Sequence, residues 1–113
     1  MTNDTTLPFQ RLDAYKLARE LAVLIHAAKI THTELRDQAQ RAAVGAFLQL
    51  SEGLPNESPG MRRRYFTIAR NSLCEVVAAV DLASALGAIG PRDAQTAAGL
   101  AKRLREILYR LMK

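Results

Sequence analysis

The sequence contains a single cysteine, Cys74, no tryptophan, and only 5% aromatic residues among its 113 positions. One thiol cannot form an internal disulfide, which is typical of proteins from a reducing compartment. No apolar run approaches the roughly 20 residues that span a bilayer. Residues 1–8 are polar and lack the basic and then apolar pattern of a signal peptide. These absences predict a cytoplasmic protein with no membrane association.

Helix-breaking residues are also scarce, with four prolines and six glycines in the chain. Hydrophobic residues make up 49% and charged residues 24%, a balance that argues against disorder. The length suits one core and not two. We therefore expect a single domain over residues 1–113, with residues 1–9 as a flexible N-terminal segment.

Four helical segments follow from the spacing of apolar residues. The first is predicted from about Arg11 to Ile30, because alanine, leucine and isoleucine recur there at steps of three and four. Thr31 and Glu34 have capping-box spacing, so a second helix should begin there and end at Gly53. The predicted core positions of these two helices are Ala14, Leu17, Ala18, Leu21, Leu24, Ile25, Ala28, Leu35, Ala39, Ala42, Ala46 and Leu50.

The third helix is predicted from about Pro59 to Leu86, with Ser58 as its N-cap and Gly87 as its C-terminal cap. Gly90-Pro91 opens the fourth. The predicted core positions here are Tyr65, Ile68, Ala69, Ser72, Leu73, Val76, Ala79, Val80, Ala83, Ala94, Ala97, Ala101, Leu104, Leu108 and Leu111. No segment alternates with a period of two, and the connections are short. We therefore predict an all-α protein, an antiparallel up-down-up-down four-helix bundle.

Residues suited to catalysis or metal binding are few. The Glu-x-x-His motif of di-iron bundles is absent, and His26 and His32 have no cysteine or glutamate at ligand spacing. Cys74 is predicted to be a small buried side chain on the core side of the third helix. We therefore expect no catalytic centre, no metal and no cofactor. Arg19 and His26, two turns apart, leave one alternative, a ribonuclease with both side chains in a shared groove.

The formal net charge of +5 is unevenly distributed. Residues 91–113 hold six basic and two acidic residues, whereas residues 31–58 hold two basic and four acidic ones. A basic segment suits nucleic acid, an anionic surface or an acidic partner, and equally a solvated helix face. The candidate contacts to nucleic acid or a partner are Arg62, Arg63, Arg64, Arg70, Lys102, Arg103, Arg105, Tyr109, Arg110 and Lys113.

The run Arg62–Arg64 places three cations at a helix N-terminus, where each opposes the helix dipole by about 0.3–1 kcal/mol when exposed. Phosphate groups would offset this cost, and Arg70 lies on the same face as Arg63. The alternative is pairing with Glu52, Glu57 or a neighbouring subunit. Both interpretations remain open from the sequence.

Four other side chains, three polar and one aromatic, lie beside packed helix faces or among cations. Gln49, Ser72 and Glu75 lie on or beside packed faces, so we expect interhelix hydrogen bonds or a subunit contact, with ligand binding as the alternative. Tyr109 stands among the cations of the fourth helix. There it suits stacking on single-stranded bases, or else it covers the edge of the core.

Several runs resemble the four helix bundle protein family. They are Phe9-Gln10-Arg11-Leu12 ahead of Ala18, Gln38 with Arg41-Ala42-Ala43, Glu52-Gly53, Tyr65–Glu75 and Leu86-Gly87. The resemblance covers nearly the whole chain. That family includes proteins encoded within intervening sequences of bacterial 23S ribosomal RNA genes, and the accessory variability protein of diversity-generating retroelements. The chain departs from the family pattern at Gly45, Gln49 and Tyr15, where serine, asparagine and tryptophan are usual.

The resemblance implies a ring-shaped homo-oligomer, typically a pentamer. For the retroelement member it also implies binding to RNA and to a reverse transcriptase. Together with the charge pattern, this leads to our first hypothesis, a non-enzymatic oligomeric bundle whose basic surfaces bind RNA, DNA or a nucleic-acid-bound protein. A protein-interaction scaffold that binds no nucleic acid is the second hypothesis.

Overall fold

The structure is a computed structural model that describes residues 4–113. A short 3-10 helix at Pro8–Arg11 precedes four α-helices. Their bounds are α1 Asp13–Ala27, α2 Thr33–Gly53, α3 Pro59–Ala85 and α4 Pro91–Leu111. No strand forms within the described part of the chain. The predicted all-α class and the number of helices are confirmed.

The four helices pack as a bundle in which each has two neighbours. Helix α1 packs on α2 and α4, and α3 packs on the same two helices from the other side. The Thr31 amide donates to the Ala88 carbonyl at 2.8 Å, which joins the α1–α2 connection to the α3–α4 connection. Leu54, just after α2, lines a depression with the start of α1 and the end of α4. These neighbours suit the up-down-up-down order, which itself stays a prediction.

One hydrophobic core runs through the bundle, and most predicted stripe positions are buried in it. Two predictions for α3 are wrong. Ile68 is 37% exposed, and Cys74 is exposed. The buried stripe of α3 centres on Ala69, Leu73 and Val76. Because successive helical residues are rotated by about 100°, the positions directly before Ala69 and after Leu73 turn toward solvent.

Helix α3 begins and ends as its sequence predicts. The Ser58 hydroxyl accepts a hydrogen bond from the Met61 amide at 3.4 Å, so Ser58 is the N-cap. Gly87 has φ +69°, the left-handed conformation that closes a helix and that favours glycine. Leu86 is the C-cap, one residue beyond Ala85. The predicted N-cap is confirmed, and Gly87 follows the C-cap Leu86 directly.

The junction of α1 and α2 differs from its prediction. Helix α1 ends at Ala27, because Ala28 already has an extended backbone with ψ 138°. The N-cap of α2 is His32 and not Thr31, since His32 Nδ1 accepts from the Leu35 amide at 3.2 Å. Thr31 instead bonds across the bundle to the α3–α4 connection. A tertiary hydrogen bond therefore takes the residue that a local capping box would have used.

The N-terminal segment contacts the bundle through aromatic rings. Phe9, within the 3-10 helix, meets Tyr15 edge-on with ring centroids 5.6 Å apart, and Tyr15 lies 5.0 Å from Phe47 of α2. Phe9 is half-buried by these contacts. Residues 1–3 of the expected flexible segment lie outside the described residues, whereas Phe9 at its other end is packed.

Helices α2 and α3 approach each other closely at two glycines. A Cβ atom at Gly45 would lie 3.4 Å from Ser72 Oγ. A Cβ atom at Gly53 would lie 2.8 Å and 2.9 Å from two ring atoms of Phe66, closer than real Cβ contacts. The C-terminal end of α2 can therefore meet Phe66 only because residue 53 has no side chain.

Replacing Gly53 with alanine should lower the free energy of unfolding by about 1–3 kcal/mol, because the added methyl group overpacks a buried ring. Gly60 supplies the matched control, since a Cβ atom there would meet nothing within 4 Å. Gly60→Ala should be neutral or stabilising by up to about 1 kcal/mol. Urea denaturation followed by circular dichroism compares the two. Equal stability of the two variants would contradict the close approach at Gly53.

Within residues 4–113, no helix is long and apolar enough to cross a membrane.

Candidate nucleic-acid interface

Helix α4 has one apolar and one strongly basic side. Its leucines and alanines turn inward, with Leu100, Leu104 and Leu108 buried. The opposite side carries a set that we call the basic surface of α4. Its members are Lys102, Arg103, Arg105, Tyr109, Arg110 and Lys113, and every one of them is exposed. The predicted residues of the fourth helix thus lie together on the outside of the bundle.

Tyr109 belongs to this surface and not to the core. Its side chain is 61% exposed, so it does not cover the core edge. The Lys113 ammonium lies 5.3 Å from the centroid of the Tyr109 ring, within the range of a cation–π contact. An exposed aromatic ring beside cations is the arrangement that stacks on unpaired bases.

Acidic side chains do little to neutralise this surface. Glu106 is its one acidic neighbour in residues 102–113, and it lines a shallow depression with Arg105, Tyr109 and Arg110. The ion pairs among residues 4–113 are Arg11–Asp4 at 2.8 Å and Arg36–Asp37 at 3.2 Å, neither of which involves α4. The positive charge of α4 therefore faces solvent without an intramolecular ion pair.

The three arginines at the start of α3 divide into two kinds. Arg62 Nη1 donates to the Leu54 carbonyl at 2.6 Å and to the Gly53 carbonyl at 3.3 Å. Its guanidinium also lies 4.9 Å from the centroid of the Phe66 ring. These carbonyls end α2, where the helix dipole is negative and a cation is stabilised. Arg62 is thus half-buried and joins the end of α2 to α3.

Arg63 and Arg64 are exposed, and Arg70, seven residues after Arg63, is half-buried. The expected alternative of pairing with Glu52 or Glu57 does not occur in the part of the chain that the structure describes. Arg62 instead donates to the carbonyl oxygens of Gly53 and Leu54 at the end of α2. Two of the three arginines consequently remain available to an external anion.

The ribonuclease alternative calls for Arg19 and His26 in a shared groove, and in residues 4–113 the cleft that Arg19 lines does not include His26. Arg19 and His26 are both exposed on α1. Arg19 lines a cleft of about 630 Å³ beneath the N-terminal segment, together with Tyr15 and Glu20, but His26 is not on its walls. His26 Nδ1 lies 2.9 Å from the Ala22 carbonyl of its own helix. Among residues 4–113 no three potential metal ligands come together.

The polar positions beside the packed faces connect α2 with α3. Gln38 Nε2 donates to Glu75 Oε2 at 3.2 Å, an interhelix bond of the kind expected for Glu75. Ser72 faces Gly45, and Gln49 is half-buried. No buried side-chain nitrogen or oxygen of the described residues lacks a hydrogen-bond partner. The interhelix interpretation is therefore confirmed for Glu75.

Two features of the surface are not anticipated by the sequence analysis. One is the role of Arg62 in joining the end of α2 to α3. Its only signal in the sequence is that an arginine follows Gly53, the last residue of α2. The other is an apolar groove of about 300 Å³ between α3 and α4, which we call the α3/α4 groove. It forms because α4 contributes alanines there, with Val77 and Asp81 of α3 on the facing wall.

Residues 10–110 match the family model described as 23S rRNA-intervening sequence protein. Among curated proteins, no sequence matches the chain.

Proposed function

Because the chain belongs to the family of 23S rRNA-intervening sequence proteins, we propose that it is a non-enzymatic, oligomeric bundle that binds RNA through the basic surface of α4. One observation carries this proposal. Five exposed cations lie within residues 102–113, four on α4 and Lys113 just past its end, with one acidic residue among them and no ion pair to any of them in residues 4–113. Such a surface attracts the phosphate backbone.

The geometry favours flexible, single-stranded RNA over a sequence-specific duplex site. Lys102 and Arg110 are eight residues apart, about 12 Å along the helix axis, and Lys113 lies just past the end of α4. A strip of that length meets several phosphates and reads no base edges. Tyr109 adds a ring for one unpaired base, a contact that tolerates every base. The binding would therefore be salt-sensitive and largely independent of sequence.

Neutralising three cations of the basic surface of α4 tests the proposal. The triple variant Arg103→Gln, Arg110→Gln, Lys113→Gln should weaken binding of a single-stranded RNA by roughly 10–100-fold at low salt. The slope of log K against log salt should fall by about 2, because each phosphate contact contributes about 0.7 on a single strand. Fluorescence anisotropy across a salt series measures both quantities.

A matched control removes the same charge elsewhere. Lys16→Gln, Arg19→Gln, Lys29→Gln neutralises three exposed cations outside α4. It should leave the affinity within about threefold. Equal losses in both triple variants would assign the binding to net charge and not to α4. If the unmodified protein has no measurable RNA affinity at low salt, the proposal fails and the scaffold hypothesis takes its place.

Oligomerisation is the other half of the proposal, and exposed apolar side chains support it. Leu48 of α2 and Val77 of α3 are 53% and 45% exposed, and both would be better buried in a subunit contact. Light scattering distinguishes a monomer of 12.4 kDa from an assembly, and a pentamer would have five times that mass. A monomer at all concentrations would overturn this half alone.

A further inference from the structure

Val77 and Asp81, on the wall of the α3/α4 groove, belong to a longer charged stripe on α3, which we call the α3 stripe. Its members are Arg70, Cys74, Val77 and Asp81, at steps of four, three and four that place them on one helix face. Cys74, Val77 and Asp81 are exposed, and Arg70 is half-buried. A cation thus stands at one end of the stripe, a carboxylate at the other, and a thiol and a valine between them.

Helix α2 carries a second stripe of the same design, the α2 stripe. Its members are Arg41, Val44, Leu48 and Glu52, at steps of three, four and four, and all four are exposed. Neither Arg41 nor Glu52 takes part in an ion pair within residues 4–113. This stripe therefore presents two apolar side chains on a convex ridge, between unpaired opposite charges.

The two stripes match each other when their helices run antiparallel. Each spans twelve residues, whose eleven helical steps cover about 16 Å. In one register Arg41 meets Asp81, Val44 meets Val77, Leu48 meets Cys74 and Glu52 meets Arg70. In the parallel direction the ends would place like charges together, which is unfavourable. Charge and shape agree only for the antiparallel arrangement.

We propose that the α2 stripe of one copy of this chain docks on the α3 stripe of a second copy, antiparallel to it, with Val44 at the α3/α4 groove. The proposal rests on the oligomeric half of the proposed function and assigns the surfaces that build the assembly. The α2 stripe and the α3 stripe are different surfaces. Every copy therefore contacts one neighbour through its α2 stripe and another through its α3 stripe. Such a heterologous contact closes into a ring when the rotation permits. It assigns Arg70 to the subunit contact and leaves the basic surface of α4 outside.

A competing contact places two α2 stripes together about a two-fold axis. Arg41 of one copy would then meet Glu52 of the other, so the charges also agree. That arrangement sets two ridges against each other and leaves the α3/α4 groove empty. The groove, whose wall includes Val77, offers a concave apolar surface that can enclose Val44, and concave sites bury more apolar area. The heterologous contact is therefore the one we propose.

Disulfide trapping distinguishes these contacts, because the chain has a single native cysteine. Leu48→Cys in the otherwise native chain should form an intermolecular bond to Cys74 of the next copy under mild oxidation. Facing cysteines must bring their Cβ atoms to about 3.5–4.5 Å, so the bond reports the register. A ladder of dimers, trimers and larger covalent species should then appear on a non-reducing gel.

Two controls make the result decisive. The unmodified protein and the double variant Leu48→Cys, Cys74→Ser should both stay monomeric on the gel. Covalent dimers of the double variant would place residue 48 of two copies together, a contact between α2 helices that overturns the proposal. Absence of a ladder from Leu48→Cys, while light scattering shows an assembly, would overturn the interface but leave the oligomer proposal standing. A monomer in light scattering with no ladder would overturn both.

Charge exchange supplies a second measurement that needs no oxidation. Arg41→Asp should dissociate the assembly at least tenfold more readily, because it sets two carboxylates together at one end of the contact. The double variant Arg41→Asp, Asp81→Arg restores opposite charges and should recover the mass seen for the native protein. Recovery would not occur if Arg41 paired with Glu52 of a two-fold partner.

Discussion

Truncation of Phe66 to alanine should lower the free energy of unfolding by about 3–5 kcal/mol, one of the two largest effects that we expect from a single substitution. The ring is 0% exposed and is the largest of the fully buried side chains. It contacts the end of α2 at Gly53 and carries the guanidinium of Arg62 on its face. Alanine would leave a cavity where α2 and α3 meet, and the closely spaced helices cannot collapse to fill it.

Urea denaturation followed by circular dichroism at 222 nm measures this loss. Tyr109→Ala is the control, because it removes an aromatic ring of similar size from the exposed surface of α4. That variant should lie within about 0.5 kcal/mol of the native protein. A change below about 1 kcal/mol for Phe66→Ala would contradict the placement of this ring in the core.

Replacing Arg62 with glutamine should cost about 2–3 kcal/mol, the second large effect. Hydrogen bonds that involve a charged group contribute about 1.5–3 kcal/mol each, and the cation–π contact with Phe66 adds to them. Glutamine is too short to reach both carbonyls that end α2. The half-buried position reduces screening by water, so we expect the loss to exceed that of a surface arginine.

Arg63→Gln is the matched control, one residue away and exposed. Its stability should stay within about 0.5 kcal/mol of the native value. Thermal and urea denaturation of both variants provide the comparison, with RNA binding measured in parallel on the folded proteins. Equal stability of the two variants would show that the hydrogen bonds from Arg62 to Gly53 and Leu54 contribute little.

The role of Arg62 within the fold reduces the number of cations that the start of α3 offers to an external anion. A run of three cations at the start of α3 resembles a phosphate-binding cluster in sequence. In the fold, α2 carbonyls satisfy one of the three, which leaves Arg63 and Arg64. Most of the cations available to a nucleic acid therefore lie on α4, where no cation forms an ion pair with an acidic group in the described residues.

The two proposals reinforce each other. A ring built by docking the α2 stripe on the α3 stripe would repeat the basic surface of α4 once per subunit. Binding of one long RNA to several such surfaces becomes intramolecular after the first contact, which raises avidity by orders of magnitude without new contacts. Variants that dissociate the assembly should then lose affinity for long RNA and keep their affinity for short oligonucleotides.

The sequence by itself determined the elements of this fold. Steps of three and four among alanines and leucines located four helices, and Ser58 and Gly87 marked the ends of α3. These features are local, since a helix buries whichever side its own spacing makes apolar. The basic surface of α4 follows for the same reason, because its cations occupy the positions that the leucine stripe leaves outside.

Tertiary structure alone decided which partners the remaining residues meet. Thr31 bonds to Ala88, so His32 caps α2, and Arg62 binds the end of α2 and not an acidic side chain. Cys74 faces solvent because α3 has neighbours on other sides. Each outcome depends on contacts between residues far apart in the chain, and the spacing of apolar residues within one helix does not indicate these contacts. The spacing of one helix predicts its buried face, whereas the position of the next helix decides what that face meets.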